Sequence, residues 1–258
     1  MLHRLYHFLA RRARRTWPWL PRFWARQMQI VPWPVLSSPD GVVRRQDPAS
    51  AYSLTEPGMP KRHAIDGPSI APLHAFAAWA DVERAQNLRW YPSQGKTFCN
   101  IYAHDFCHAA GARLPRIWWT SDALRQIAAG KEPLPAYGVN VYEMDANGLY
   151  EWLLHWGPSF GWKKARSIDR LQQLANRGSV ALISAANHDW HAPGHIAAVL
   201  PETANHRAVR RGRRITLPLI SEAGARPSAC SAASRPWWLE SPFGRYGFFY
   251  NSDPSFWS

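Results

Sequence analysis

The chain has 258 residues, 46% of them hydrophobic, with fifteen tryptophans, three cysteines and a formal net charge of +13. This length and apolar content support a sizeable core and exclude a disordered chain. Three cysteines are too few for a disulfide framework and point to folding in a reducing compartment. The charge is clustered. No acidic residue precedes Asp40, whereas Arg4, Arg11, Arg12, Arg14, Arg15, Arg22 and Arg26 all do, and Arg207, Arg210, Arg211, Arg213 and Arg214 form a second group. Such clusters either meet a polyanion or are simply solvated.

Leu2, Leu5, Tyr6 and Leu9 share one helical face, so residues 2–15 read as a short basic amphipathic helix. It and the "TWPWLPRFW" stretch that follows suit either a membrane or envelope surface or an arm laid across the domain. Arginines interrupt every apolar run here, so neither a membrane span nor a standard secretory signal is read. The expectation is cytoplasmic synthesis, with any delivery to the periplasm or cell wall through lysis or a dedicated secretion machine. Residues 31–72 are rich in Pro, Ser, Gly and Asp without a clear period, which predicts an extended linker or arm. The division follows: a basic Trp/Pro-rich arm and linker over 1–70, and a folded domain over 71–258.

From residue 71 the pattern sharpens. Helices are predicted over 71–86, over 97–111 with Gly111 as its stop, over 120–130 behind Thr120 or Ser121, and over 145–157 and 167–178. After Gly178 the texture changes to short apolar runs bounded by turn residues: 179–186, 195–201, 214–220 and 246–251. Helices first and consecutive strands second predict an α+β fold with an antiparallel sheet.

The chemistry gathers in "YPSQGKTFCNIYAHDFCHAAGARLPR", residues 91–116. Cys99 starts a buried stripe continued by Tyr102, Ala103, Phe106 and Ala110. In a helix's first turn a thiol faces unpaired N–H groups and the positive dipole end, both of which stabilise thiolate. Alternatively, Cys99 is a small buried hydrophobe. A thiol nucleophile needs a base, and "HDWHAPGHIAAVLPE" supplies His188, His191 and His195. His195 opens a strand, while His188 and His191 fall in an exposed Pro/Gly loop. These histidines with Cys99, His104, Cys107 and His108 also suggest a metal. Yet the chain has no C-x2-C pair among them, and His104 and His108 point about 180° from Cys99 on a helix. No metal is assigned, Cys107 is read as core, and His104 and His108 as solvated or paired with Asp105 and its neighbours.

Tyr91, Cys99, Gly111, the Leu114-Pro115-Arg116 turn, Gly178 and His195 form an ordered series. In that order they resemble the papain-like cell-wall hydrolase superfamily, the NlpC-type and CHAP-type cysteine amidases and peptidases. The likeness covers roughly residues 91–224. It implies a papain-like α+β fold, with the nucleophile helix packed on a small antiparallel sheet. It also implies hydrolysis of amide bonds in peptidoglycan peptides or glycopeptides, with Cys99 as nucleophile and His195 as base and no cofactor. The chain departs in carrying Phe98-Cys99-Asn100 for the usual Asp-Cys-Ser and Ser179 after Gly178.

The third catalytic residue depends on strand pairing. If 195–201 pairs with 214–224 across the basic loop, Ser221 or Glu222 falls beside His195; Glu222 then orients the imidazole, or else is a surface turn residue. Glu202 and Asn205 are further candidates. Tyr91, Asn100, Trp118, Trp119, Trp190 and Ser221 are the candidate substrate contacts, the tryptophans as stacking faces or as core. Trp152 and Trp156, at i and i+4, read as core. Two other readings remain: a non-catalytic polyanion-binding protein, with no nucleic-acid-binding motif to support it, and an inactive papain-like adaptor.

Overall fold

The computed structural model of the chain describes residues 31–253, so the predicted helix over 2–15 and its tryptophan-rich sequel lie outside the described residues. The fold is α+β. Among the described residues five helices, α1 (Ala71–Ala80), α2 (Cys99–Ala109), α3 (Ser121–Ala128), α4 (Ala146–His155) and α5 (Ile168–Ala175), surround ten strands. These are β1 (Ile117–Trp119), β2 (Val141–Glu143), β3 (Trp162–Ala165), β4 (Val180–Asn187), β5 (His195–Val199), β6 (Val209–Arg211), β7 (Arg214–Leu217), β8 (Leu219–Glu222), β9 (Ser228–Ala232) and β10 (Phe243–Asn251). The main sheet is antiparallel with order β3-β10-β4-β5-β8-β9; β1-β2 and β6-β7 are separate two-stranded pairs.

β4 is buried on both faces, which is why its sequence reads as an unbroken apolar run rather than an alternating one. One face, with Leu182, Ile196 and Ala198, packs in the core shared with α1, α2 and α4. The other, with Ile183, Ala197 and Val199, is covered by Leu171 and Leu174 of α5 and by Trp237 and Trp238.

Helix ends follow local chemistry. Thr120, Asp145 and Ser167 cap α3, α4 and α5 by accepting from the backbone N–H three residues on. α2 ends at Gly111 (φ 80), and the Ala112 N–H reaches back to the Cys107 carbonyl, a left-handed C-terminal turn that favours glycine. α1 is shorter than predicted. Asp81 is left-handed (φ 46), and the Asn87 side-chain amide donates to the carbonyls of Ala80 and Asp81, so the chain turns away before Gln86.

Residues 31–63 run across the domain with no regular secondary structure and pack into its core. Leu54 is fully buried, Trp33 packs edge-on against Trp118 and Trp152, and the Trp119 indole donates to the Pro32 carbonyl. Arg62 donates to the carbonyls of Ala110 and Gly178, tying this segment to the end of α2 and to the start of β4. Consequently α2 is enclosed on both sides, and the expectation for His104 changes. His104 is buried, held between the Leu114 carbonyl (2.6 Å) and Ser53 Oγ (3.0 Å). Asp105 is buried too and takes a two-oxygen ion pair from Arg89 and a hydrogen bond from the Trp90 indole. His108 alone of this group is exposed, and Cys107 is core.

Candidate active site

The site assembles where one end of the main sheet meets the start of α2. Cys99 is the first residue of α2, preceded by Phe98, whose side chain makes no cap. The N–H groups of Ile101 and Tyr102 return to the Phe98 carbonyl, whereas those of Cys99 and Asn100 have no acceptor among the described residues. Where α3, α4 and α5 close the third N–H on a side-chain cap, α2 closes it on the Phe98 carbonyl, and its first two N–H groups stay open at the thiol.

His195, the first residue of β5, interacts electrostatically with Cys99, and its Nε2–H donates to Glu222 Oε2 at 2.6 Å. With Nε2 engaged, Nδ1 is the nitrogen left for the thiol. Burial pulls the imidazole pKa down, but the interactions with Cys99 and with Glu222 outweigh it and raise it to about 10. Cys99 is buried, and the side chains of His195 and Glu222 are 19% and 15% exposed.

Strand register decides between the two third-residue candidates. β5 pairs with β8 with Ala198 opposite Ser221, so Glu222 lies opposite Ala197, on the same face as His195, because side chains alternate. Ser221 points to the other face and is fully buried, its hydroxyl hydrogen-bonded to Tyr102 and to the Ser228 carbonyl. It has no access to substrate. Glu202 pairs instead with Arg210 at the far end of β5, and Asn205 is an exposed turn residue beside it.

The other predicted contacts divide. Trp118 and Trp119 are core, not groove: Trp118 packs edge-on against Trp152 and Trp33. Asn100 is a structural tie, its amide donating to the Met144 carbonyl just before α4. Tyr91 is half-buried on the loop leading to α2. Trp190 is 45% exposed, on the loop between β4 and His195, with Arg245 over its ring. His188 and His191 are exposed on that loop, and among the described residues no three His, Cys, Asp or Glu side chains converge as a metal site.

Four residues around the pair were not read from the sequence as part of the site. Trp237 packs edge-on against His195, ring centroids 4.5 Å apart. Gly224 backs the ring: a Cβ there would stand 3.1 Å from His195 Cε1. Asn147 is buried in the first turn of α4, accepting from the Asn187 N–H and donating to the Ala192 carbonyl, so it clasps both ends of the 188–194 loop. Gly194 sits hard against it, since a Cβ would come 2.4 Å from Asn147 Oδ1. Only Trp237 had a visible trace, in "RPWWLE", and nothing tied that stretch to His195.

No protein-family model matches the chain, and neither a curated protein nor a solved structure matches it.

Proposed function

We propose that the protein is a papain-like cysteine hydrolase that cleaves amide bonds in peptidoglycan peptides. The observation that carries the reaction class is the relay Cys99–His195–Glu222: a thiol at an open helix start, a charged imidazole beside it, and a carboxylate 2.6 Å from the far ring nitrogen. That is the geometry nucleophilic catalysis by a thiol requires. The substrate class rests on the resemblance of the motif series from Tyr91 to His195.

In this reading the Cys99 thiolate attacks the scissile carbonyl carbon. The oxyanion is received by the open N–H groups of Cys99 and Asn100 at the positive end of α2. The His195 imidazolium protonates the leaving amine as the C–N bond breaks, giving a thioester on Cys99. The neutral imidazole then takes a proton from water, the hydroxide attacks the thioester, and the carboxylic product leaves with regeneration of thiolate and imidazolium. Glu222 holds the ring orientation and favours its charged form.

The test is incubation of purified sacculi with the protein and with Cys99→Ala, followed by separation of soluble muropeptides. Release by the parent and none by Cys99→Ala is expected. Equal inactivity of both sinks the reading.

A further inference from the structure

We propose that the β6–β7 hairpin docks the protein on an anionic lipid bilayer. Arg211 and Arg214 stand directly opposite each other across a turn made of Gly212 (φ 61) and Arg213. Like charges facing across a ladder repel, and the fold does little to relieve them. Glu202 neutralises Arg210. Arg207, Arg211, Arg213 and Arg214 are exposed with no carboxylate in ion-pair range among the described residues.

The scaffold beneath is well held. Ile215 is buried, its N–H donates to Asp169 Oδ1 of α5 at 2.9 Å, and Glu202 accepts from the Ala208 N–H as well as from Arg210. The hairpin backbone is thereby held while the guanidiniums of Arg211, Arg213 and Arg214 stay exposed, each able to meet phosphate oxygens two at a time. A bilayer fits better than a nucleic acid for two reasons. Residues 203–217 contain no Phe, Tyr or Trp to stack on a base, and their one aromatic ring, His206, is turned onto Thr203. Val209, 44% exposed beside the arginines, offers an apolar contact that a headgroup interface accepts and a phosphodiester backbone does not. The hairpin also follows the end of β5 opposite His195, roughly 13 Å away along the strand, so docking leaves the Cys99 end of the sheet free.

The experiment is co-sedimentation of the full chain with vesicles of one part phosphatidylglycerol to three parts phosphatidylcholine, in low salt, reading the partition coefficient without any substrate. Success or failure is therefore independent of hydrolysis. Arg211→Ala/Arg213→Ala/Arg214→Ala is expected to bind about a hundredfold more weakly, from ~1 kcal/mol per arginine at an anionic surface. Val209→Ser is expected to weaken vesicle binding severalfold while leaving binding to a duplex DNA unchanged. The triple variant removes only exposed side chains, and its thermal midpoint is expected to match or exceed the parent's. The proposal is overturned if the parent ignores these vesicles, if the triple variant partitions like the parent, or if the arginines govern retention on DNA but not on vesicles.

Discussion

His195, part-buried, and His104, fully enclosed, hold opposite protonation. Beside Cys99 and Glu222, His195 keeps its proton up to about 10. His104 loses its proton first to burial, with the positive charges of His108 and Arg116 adding, despite the opposing pull of Asp105; its pKa falls to about 3. The signs give a two-sided stability curve. Between pH 3 and 6.5 the unfolded chain binds the proton that His104 refuses, so stability falls as the medium is acidified. Between pH 6.5 and 10 the folded chain holds the proton that unfolded histidine has lost, so the stability His195 contributes fades as pH rises. Urea midpoints across this range are expected to peak near neutrality, and His104→Gln is expected to flatten the acid side only. For catalysis, Glu222→Gln removes a charge that holds the imidazolium. It is expected to lower kcat by roughly a hundredfold or more and to move the alkaline limb of the pH–rate profile to lower pH. An unchanged alkaline limb would mean that Glu222 does not set the protonation of His195.

At the scale of elements, the site depends on how a strand start and a helix start are held together. His195 owes its place to β5 pairing with β4, and to the 188–194 loop, whose two ends share one clamp in Asn147. Asn147→Ala breaks both bonds and opens a buried polar gap. It is expected to cost about 1–3 kcal/mol of stability and up to about a hundredfold in kcat, because small misplacements of a base are expensive in rate. Asn147→Asp keeps the acceptor for Asn187 and loses the donor to Ala192, so steady-state kinetics is expected to place it between the two. α2 closes its first turn differently from α3, α4 and α5: they use a side-chain cap, whereas the Ile101 N–H of α2 returns to the Phe98 carbonyl, leaving the amides of Cys99 and Asn100 beside the thiol.

Across the whole molecule, residues 31–63 are as much a part of the core as any helix. Leu54→Ala is expected to cost about 2–5 kcal/mol, measurable as a drop in the urea midpoint, although the residue lies outside every helix and strand. This segment also marks the limit of what the sequence disclosed. The sequence pattern located the five described helices and the β4, β5 and β10 runs, and motif order singled out Cys99 and His195; the single strand expected over 214–220 is split into β7 and the start of β8, and β3, β6 and β9 were not read. The two-stranded β1–β2 pair escaped, because three-residue strands carry no period to read. The burial of Trp118, Trp119 and His104 escaped because the cover over them comes from a stretch without pattern, far away in the chain. Ser221 and Glu222 could be separated only by register, which a sequence run does not specify. The sheet order has a further consequence. β10 lies between β3 and β4 and pairs with both, yet it is the last strand in chain order. During synthesis β3 and β4 emerge well before the strand that joins them, so both present open ladders on the nascent chain. Chaperone demand should therefore persist until residues 243–251 have been delivered.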